Sequence, residues 1–334
     1  MPSKKWQLHM LRTVAFLLVL ALAVGVAGWY LKPHSNRYLT GYTAGGILGE
    51  DFDTIDVLVL GDSNAAQGIS PMEWYDEYGI TGYTYGVGWF SVYNAYYRLK
   101  NLYDEQTPKV VVLCGGIIYS QKSGESHIQT AVGDIMDELI PLVRFHDNWK
   151  QLTAKNLLEK HDYTWRDLHK GFTPLTGVAP YRGGDYMDDK GTASIDPLVR
   201  FYLDRIAALC EEHGSKLVIA TVPASRSWNM ARHNGIQEYA EERDLPFLDY
   251  NLDPGAIGVD WETDTPDEGD HLNVVGAAKV SRALGQYLSE SYDLPDHRGE
   301  AGYADWDEDL VKYLEERVKQ NDNWAEAVAA AQAK

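Results

Sequence analysis

Residues 55–64 read Ile55-Asp56-Val57-Leu58-Val59-Leu60-Gly61-Asp62-Ser63-Asn64, and this stretch decides the fold. Its first six residues are apolar apart from Asp56 and rich in β-branched side chains, and a glycine follows. That is the pattern of a short strand buried on both faces. Gly61 permits a tight turn, and Ser63 then lies just past the strand's carboxyl end. Open parallel α/β sheets bind their ligands at that edge. A serine that merely caps the next helix accounts for the same tetrapeptide, so Ser63 gains meaning only from a partner elsewhere in the chain.

Working outward, Lys109–Cys114 (KVVVLC), Lys216–Val222 (KLVIATV) and Pro246–Tyr250 (PFLDY) repeat the strand pattern, and Thr81–Val87 (TGYTYGV) does so more weakly. Helical periodicity covers about Ser91–Tyr103, Asp196–His213, Met230–Arg243 and Val274–Ser291. Doubly buried strands alternating with helices predict a three-layer α/β/α sandwich around a parallel sheet of about five strands. The sandwich is expected over residues 53–295. Residues 120–193 lack a strand pattern and read as an insertion, a lid or substrate wall. The Gly-rich stretch 32–52 reads as a linker, and 296–334 as an acidic helix and tail.

The partner for Ser63 lies near the other end, in Asp267-Glu268-Gly269-Asp270-His271-Leu272-Asn273. A histidine before the last core helix, among carboxylates, can be oriented by one of them, as in a Ser-His-Asp triad. A surface histidine in an acidic turn is the alternative. A metal centre on the 264–271 carboxylates lacks a second histidine at ligand-like spacing, and neither metal nor cofactor is expected.

Taken together, these two blocks resemble the SGNH (GDSL-type) hydrolase superfamily. Gly61-Asp62-Ser63 matches its first block. Asp270-His271-Leu272-Asn273 with Gly276-Ala277 matches its last, in the form of a bacterial subgroup related to cell-surface polymer acetylation and D-alanine transfer. The resemblance extends over about residues 53–292. It implies Ser63 as nucleophile and His271 as base. It places the acid three residues before the histidine, at Glu268, with Asp270 ranked beside it and Asp267 behind. It implies an oxyanion hole formed by the Ser63 amide with Gly86 or Gly88 of TYGVGW, and an asparagine in a third block. Here that strand end reads LCGGIIYS, without asparagine, and Asn64 or its neighbour Asp62 is the candidate for that role. Trp228, Asn229, His233 and Asn234 follow a strand at the same edge and could line a sugar cleft, although helix capping by Asn229 and ordinary packing of Trp228 are the better explanation of those two. Arg144, His146 and Trp149 of the insertion are further cleft candidates.

The N-terminus sets the compartment. Lys4, Lys5 and Arg12 precede Thr13–Leu31, nineteen residues without a charge. As a helix they span about 28 Å, close to a bilayer core. Basic residues before the span predict a cytoplasmic N-terminus and an extracytoplasmic domain. Gly25-Val26-Ala27 also fits a cleaved signal peptide. The net charge of −19 disfavours nucleic acid. Cys114 and Cys210 each sit in an apolar element and read as buried thiols, with a disulfide between them as the alternative. The expectation is a membrane-anchored esterase or O-acyltransferase acting on acylated cell-envelope glycans, served by a membrane-bound acyl donor protein. The competing expectation is a non-catalytic polysaccharide-binding or assembly protein on the same fold.

Overall fold

The computed structural model describes residues 4–40, 43–120, 126–153 and 158–332. Five strands form one parallel sheet: β1 (Val57–Gly61), β2 (Gly82–Gly86), β3 (Val110–Cys114), β4 (Lys216–Thr221) and β5 (Phe247–Asp249). Their order is β2-β1-β3-β4-β5. This is the flavodoxin-like arrangement, in which strand order reverses between β1 and β3 and a crevice opens above their carboxyl ends. β1 pairs Val57 with Gly82 on one side and with Val110 on the other.

Alternation along the strands divides the core into two layers. Val57, Val59, Val110, Val112, Cys114, Val218 and Ala220 face α2 (Ser63–Gly68), α3 (Pro71–Tyr78) and α9 (Val274–Ser291). Leu58, Leu60, Val111, Leu113, Leu217 and Ile219 face α4 (Val92–Leu102), α7 (Pro197–His213) and α8 (Met230–Arg243). Both sheet faces are thus covered by apolar helix surfaces, which is why the strands carry hardly a polar residue.

The stretch 32–52 is not a free linker. Asn36 is fully buried and donates to the carbonyls of Gly45 and Trp165 at 3.0 and 2.6 Å. Two 3-10 turns follow, Asn36–Tyr38 and Thr43–Gly49, and the second buries Ala44 and Ile47 in the core. Its glycines, which suggested flexibility, instead allow close approach: a Cβ on Gly45 would lie 2.1 Å from the Asn36 oxygen. The C-terminal segment is likewise part of the body. It forms α10 (Ala304–Gln332), which buries Trp306 and Tyr313. The Tyr313 hydroxyl donates to Glu73 on α3 at 2.7 Å, and the Trp324 indole donates to the Thr263 carbonyl at 2.9 Å.

The insertion opens with α5 (His127–Leu139) and α6 (Pro141–Phe145), which lie against α4 and against α1 (Lys4–Leu31). From residue 158 it is largely irregular and returns across the domain. The segment 173–181 exchanges backbone hydrogen bonds with the loop before α9. Ala179 N donates to Thr265 O, Glu268 N to Ala179 O, Tyr181 N to Trp261 O and Val274 N to Leu175 O, all between 2.7 and 3.0 Å. This part of the insertion braces the histidine loop from outside, where a lid or wall was expected. By length and composition, α1 is long and apolar enough to cross a membrane.

Candidate active site

Ser63 is the first residue of α2, directly after β1. Asp62 caps that helix by accepting from the Asn64 amide at 3.0 Å. The cap leaves the Ser63 N–H, a first-turn amide, without an intrahelical acceptor. The turn is tight because Gly61 has no side chain: a Cβ there would come within 2.4 Å of Ala65 Cβ. His271 stands before α9, whose cap is Asn273. Its Nε2 lies 2.9 Å from Ser63 Oγ and its Nδ1 lies 2.6 Å from Asp267 Oδ2. The other Asp267 oxygen accepts the His271 backbone amide at 2.9 Å. One carboxylate therefore fixes both the ring and the main chain of the histidine.

The carboxylate bound to the imidazole is Asp267, the one that the motif spacing placed last. Glu268 and Asp270 were the expected candidates, and the turn explains why neither reaches the ring as Asp267 does. Glu268 and Gly269 both adopt left-handed backbone, with φ of 61° and 89°. The reversal brings Asp267 back over His271 and turns Glu268 outward, where it is largely exposed and pairs with Arg226. Asp270 stays at 3.9 Å from Nδ1. Gly269 is required at its place, since a Cβ would fall 2.2 Å from Ser225 Oγ.

Burial lowers the His271 pKa, but the hydrogen bond and charge of Asp267 outweigh it. Asp270 and Asp62 act in the same direction, and the imidazole ends above its ordinary 6.5. Burial raises Asp267, but its bonds to His271 prevail and hold the carboxyl below its usual value. Asp267, Asp270 and His271 bring ligand-type atoms within 4.8 Å of one another. Both ring nitrogens of His271 are already directed at Ser63 and Asp267, so this donor set suits proton transfer better than a metal ion.

These groups open into a cleft of about 480 Å³ whose lining also includes Asn64, Gly88, Trp89, Gly116, Tyr119 and Arg232. Of the two glycines proposed for the oxyanion site, Gly88 lines the cleft. Gly86 ends β2 and serves packing: a Cβ on it would lie 2.6 Å from the Ala66 amide nitrogen. At the end of β3, whose LCGGIIYS stretch has no asparagine, Gly116 lines the cleft, and a Cβ there would meet Asp62 Oδ2 at 2.8 Å. Asn64 donates its amide to Ser227 Oγ at 3.1 Å.

Trp228 and Asn229 do not line the cleft. The Trp228 indole is buried and donates to Asp249 at 3.0 Å, and Asn229 caps α8. His233 also binds Asp249, at 2.7 Å, and Asn234 donates to the Gly191 carbonyl. Arg144, His146 and Trp149 are likewise absent from its lining.

Arg232, Tyr119 and Trp89 are among the cleft residues that the sequence did not single out. Arg232 lies over the Tyr119 ring at 5.4 Å and donates to the Ser227 carbonyl. Burial depresses its pKa, partly offset by Tyr119 and Asp62. Trp89 is largely exposed at the lip, with φ of 59°. A bulky residue in left-handed backbone is uncommon and concentrates at functional sites. The signal for Arg232 was its place three residues after a helix cap at the sheet's carboxyl edge.

No family model and no curated protein matches this sequence. Among solved structures the chain is similar to a GDSL-like lipase from Bacteroides thetaiotaomicron, at 11 % identity over 71 % of this chain and 88 % of that one, with a TM-score of 0.36. It is similar to a family 3 carbohydrate esterase from Clostridium thermocellum, at 13 % identity over 71 % and 96 %, with a TM-score of 0.37. It is also similar to a lipase/acylhydrolase from Enterococcus faecalis, at 14 % identity over 72 % and 99 %, with a TM-score of 0.36.

Proposed function

We propose that this protein is a serine-dependent acyl-ester enzyme of the cell envelope, held by α1 with its α/β domain outside the membrane. The carrying observation is the continuous hydrogen-bonded line Asp267–His271–Ser63 at the carboxyl edge of the sheet. In the proposed reaction His271 Nε2 takes the Ser63 proton as Oγ attacks the ester carbonyl. Asp267 holds the tautomer and stabilises the imidazolium, and His271 returns the proton to the leaving alcohol. The Ser63 and Gly88 amides are the proposed donors to the oxyanion. The acyl-serine is then released to water or to a glycan hydroxyl. Trp89 and Tyr119 offer aromatic faces beside the nucleophile, and Arg232 a half-buried cation, which suits a sugar ring bearing the ester.

The test is labelling of Ser63 by a fluorophosphonate, together with turnover of acetylated glycans and a simple acetyl ester. Wild type should label and turn over, and Ser63→Ala and His271→Ala should do neither. A folded wild-type protein that neither labels nor hydrolyses, yet retains glycan, would replace this reading with a non-catalytic binder.

A further inference from the structure

α1 meets the domain through its last two turns. Gly28 and Leu31 are buried there, with Val24 and Ala27 partly covered. A Cβ on Gly28 would lie 3.1 Å from the Leu142 amide nitrogen and 3.4 Å from Pro141 Cβ, and Asn148 donates to the Leu31 carbonyl at 2.9 Å. If α1 spans a bilayer, Gly28 lies about 4.5 Å, three residues of rise, inside its end. α6 touches that turn and must therefore sit at the depth of the lipid headgroups. Leu139, Val143 and Trp149, on and around α6, are exposed on this domain. Apolar and tryptophan side chains at that depth belong to a membrane interface.

Behind α6 is a cavity of about 170 Å³. Its walls carry Lys32, Arg98 and Arg144, with Glu138 and Asp137 opposing them and Leu39 and Phe145 among the apolar remainder. Arg98 binds both oxygens of Glu138, at 2.7 and 2.9 Å, and Arg144 shares the same carboxylate at 3.2 Å. Two guanidinium groups thus draw on one acid. The buried Arg98 Nε has no acceptor among the described residues, and the guanidinium lies 5.1 Å from the Tyr85 ring centre. Lys32 makes no ion pair among the described residues and lies 5.0 Å from the Tyr163 ring centre. Its pKa is lowered by burial and then by the charges of Arg98 and Arg144. In a chain of net charge −19, three cations around one pocket are a local reversal of sign. An oxyanion with several acceptor oxygens would relieve it, through charge-assisted bonds to guanidinium and ammonium.

We propose that this cavity binds the phosphate of an anionic phospholipid drawn from the leaflet in which α1 ends. The proposal rests on α1 spanning the membrane and is independent of the chemistry at Ser63. Lys32 and Arg144 hold the phosphate oxygens, and the apolar wall takes the glycerol end. The lipid thereby fastens α6 to the root of α1 and fixes how the domain stands on the membrane.

The test is native mass spectrometry of the full chain released from phosphatidylcholine nanodiscs containing phosphatidylglycerol. Wild type should leave the disc with a phosphatidylglycerol bound. Lys32→Gln and Arg144→Gln should each retain about tenfold less, the loss of one charge-assisted contact. Lys150→Gln, whose partner is the exposed Asp147, should retain it fully. Wild type that enters the discs and emerges bare overturns the proposal while leaving the anchor standing. A chain that does not enter the discs removes both. Inorganic phosphate that displaces phosphatidylglycerol at equal concentration would make this a soluble-anion site and overturn the lipid assignment.

Discussion

Asp267→Asn is the most informative single change in the proposed triad. It keeps the size of the side chain but lets His271 settle in the wrong tautomer, so kcat should fall about 10³- to 10⁴-fold. The pH profile carries a second readout. His271 acts as a base only when neutral, and its pKa lies above the ordinary 6.5. The rate in wild type should therefore rise with pH through a value above 6.5. Removing the Asp267 charge should move that limb to lower pH, as measured by kcat/KM against pH. Glu268→Gln should leave both rate and profile close to wild type, because Glu268 faces solvent beside Arg226. A large loss in Glu268→Gln would return the acid to the position that the motif spacing favours. At the lip, Trp89→Ala should raise KM for a glycan ester about tenfold or more, the loss of one stacking face. It should leave turnover of a simple acetyl ester unchanged.

Among the elements, Lys170 anchors three segments distant in sequence. Its fully buried ammonium binds Glu50 at 3.0 Å and Asp309 of α10 at 2.9 Å. Near it, burial pushes the Asp167 carboxyl up to about 7, against the Gly171 amide and the Lys170 charge. In the unfolded chain this group titrates near 3.8. Between those values the folded state holds a proton that the unfolded state lacks, so stability falls as pH rises from about 4 to 7. Asp167→Asn removes the ionisation, and its advantage in Tm over wild type should be larger at pH 8 than at pH 5. An equal difference at both pH values would mean that Asp167 is ionised throughout. At this scale the sequence was most legible in the strands, because burial on both faces leaves unbroken apolar runs such as Val57–Leu60. The helices were legible through their periodicity. The turn at 267–271 was not, because it depends on a glutamate accepting left-handed backbone, which composition does not announce. The packing of 36–50 was also hidden, since glycines that permit close contact and glycines that permit mobility look alike in one sequence. Ser63 and His271 were readable from their places at opposite ends of the chain. Arg232 is drawn into the cleft only by the route of the chain after β4.

As a whole molecule, the protein couples an acidic domain to a single apolar helix. The full chain should float with liposomes in a density gradient, and a chain beginning at Lys32 should remain at the bottom. Flotation of the shortened chain to the same degree would mean that the α6 face alone holds the membrane. Hydropathy made the long apolar helix legible. The meeting of α1 with α6 was not, because it is set by residues far apart in sequence, among them Gly28 and Leu142.

The two cysteines have a consequence beyond the question of a disulfide. Both are free and buried, Cys114 in the layer beneath the nucleophile turn and Cys210 in the layer on the opposite face of the sheet. The sheet between them prevents their pairing, so each thiol is shielded from oxidants for as long as its own layer stays shut. Burial raises the pKa of both, which further slows reaction with alkylating reagents. The chain thus carries an unengineered gauge on each side. Timed alkylation, read peptide by peptide, would clock how often the layer beneath Ser63 breathes relative to the other, without a single substitution.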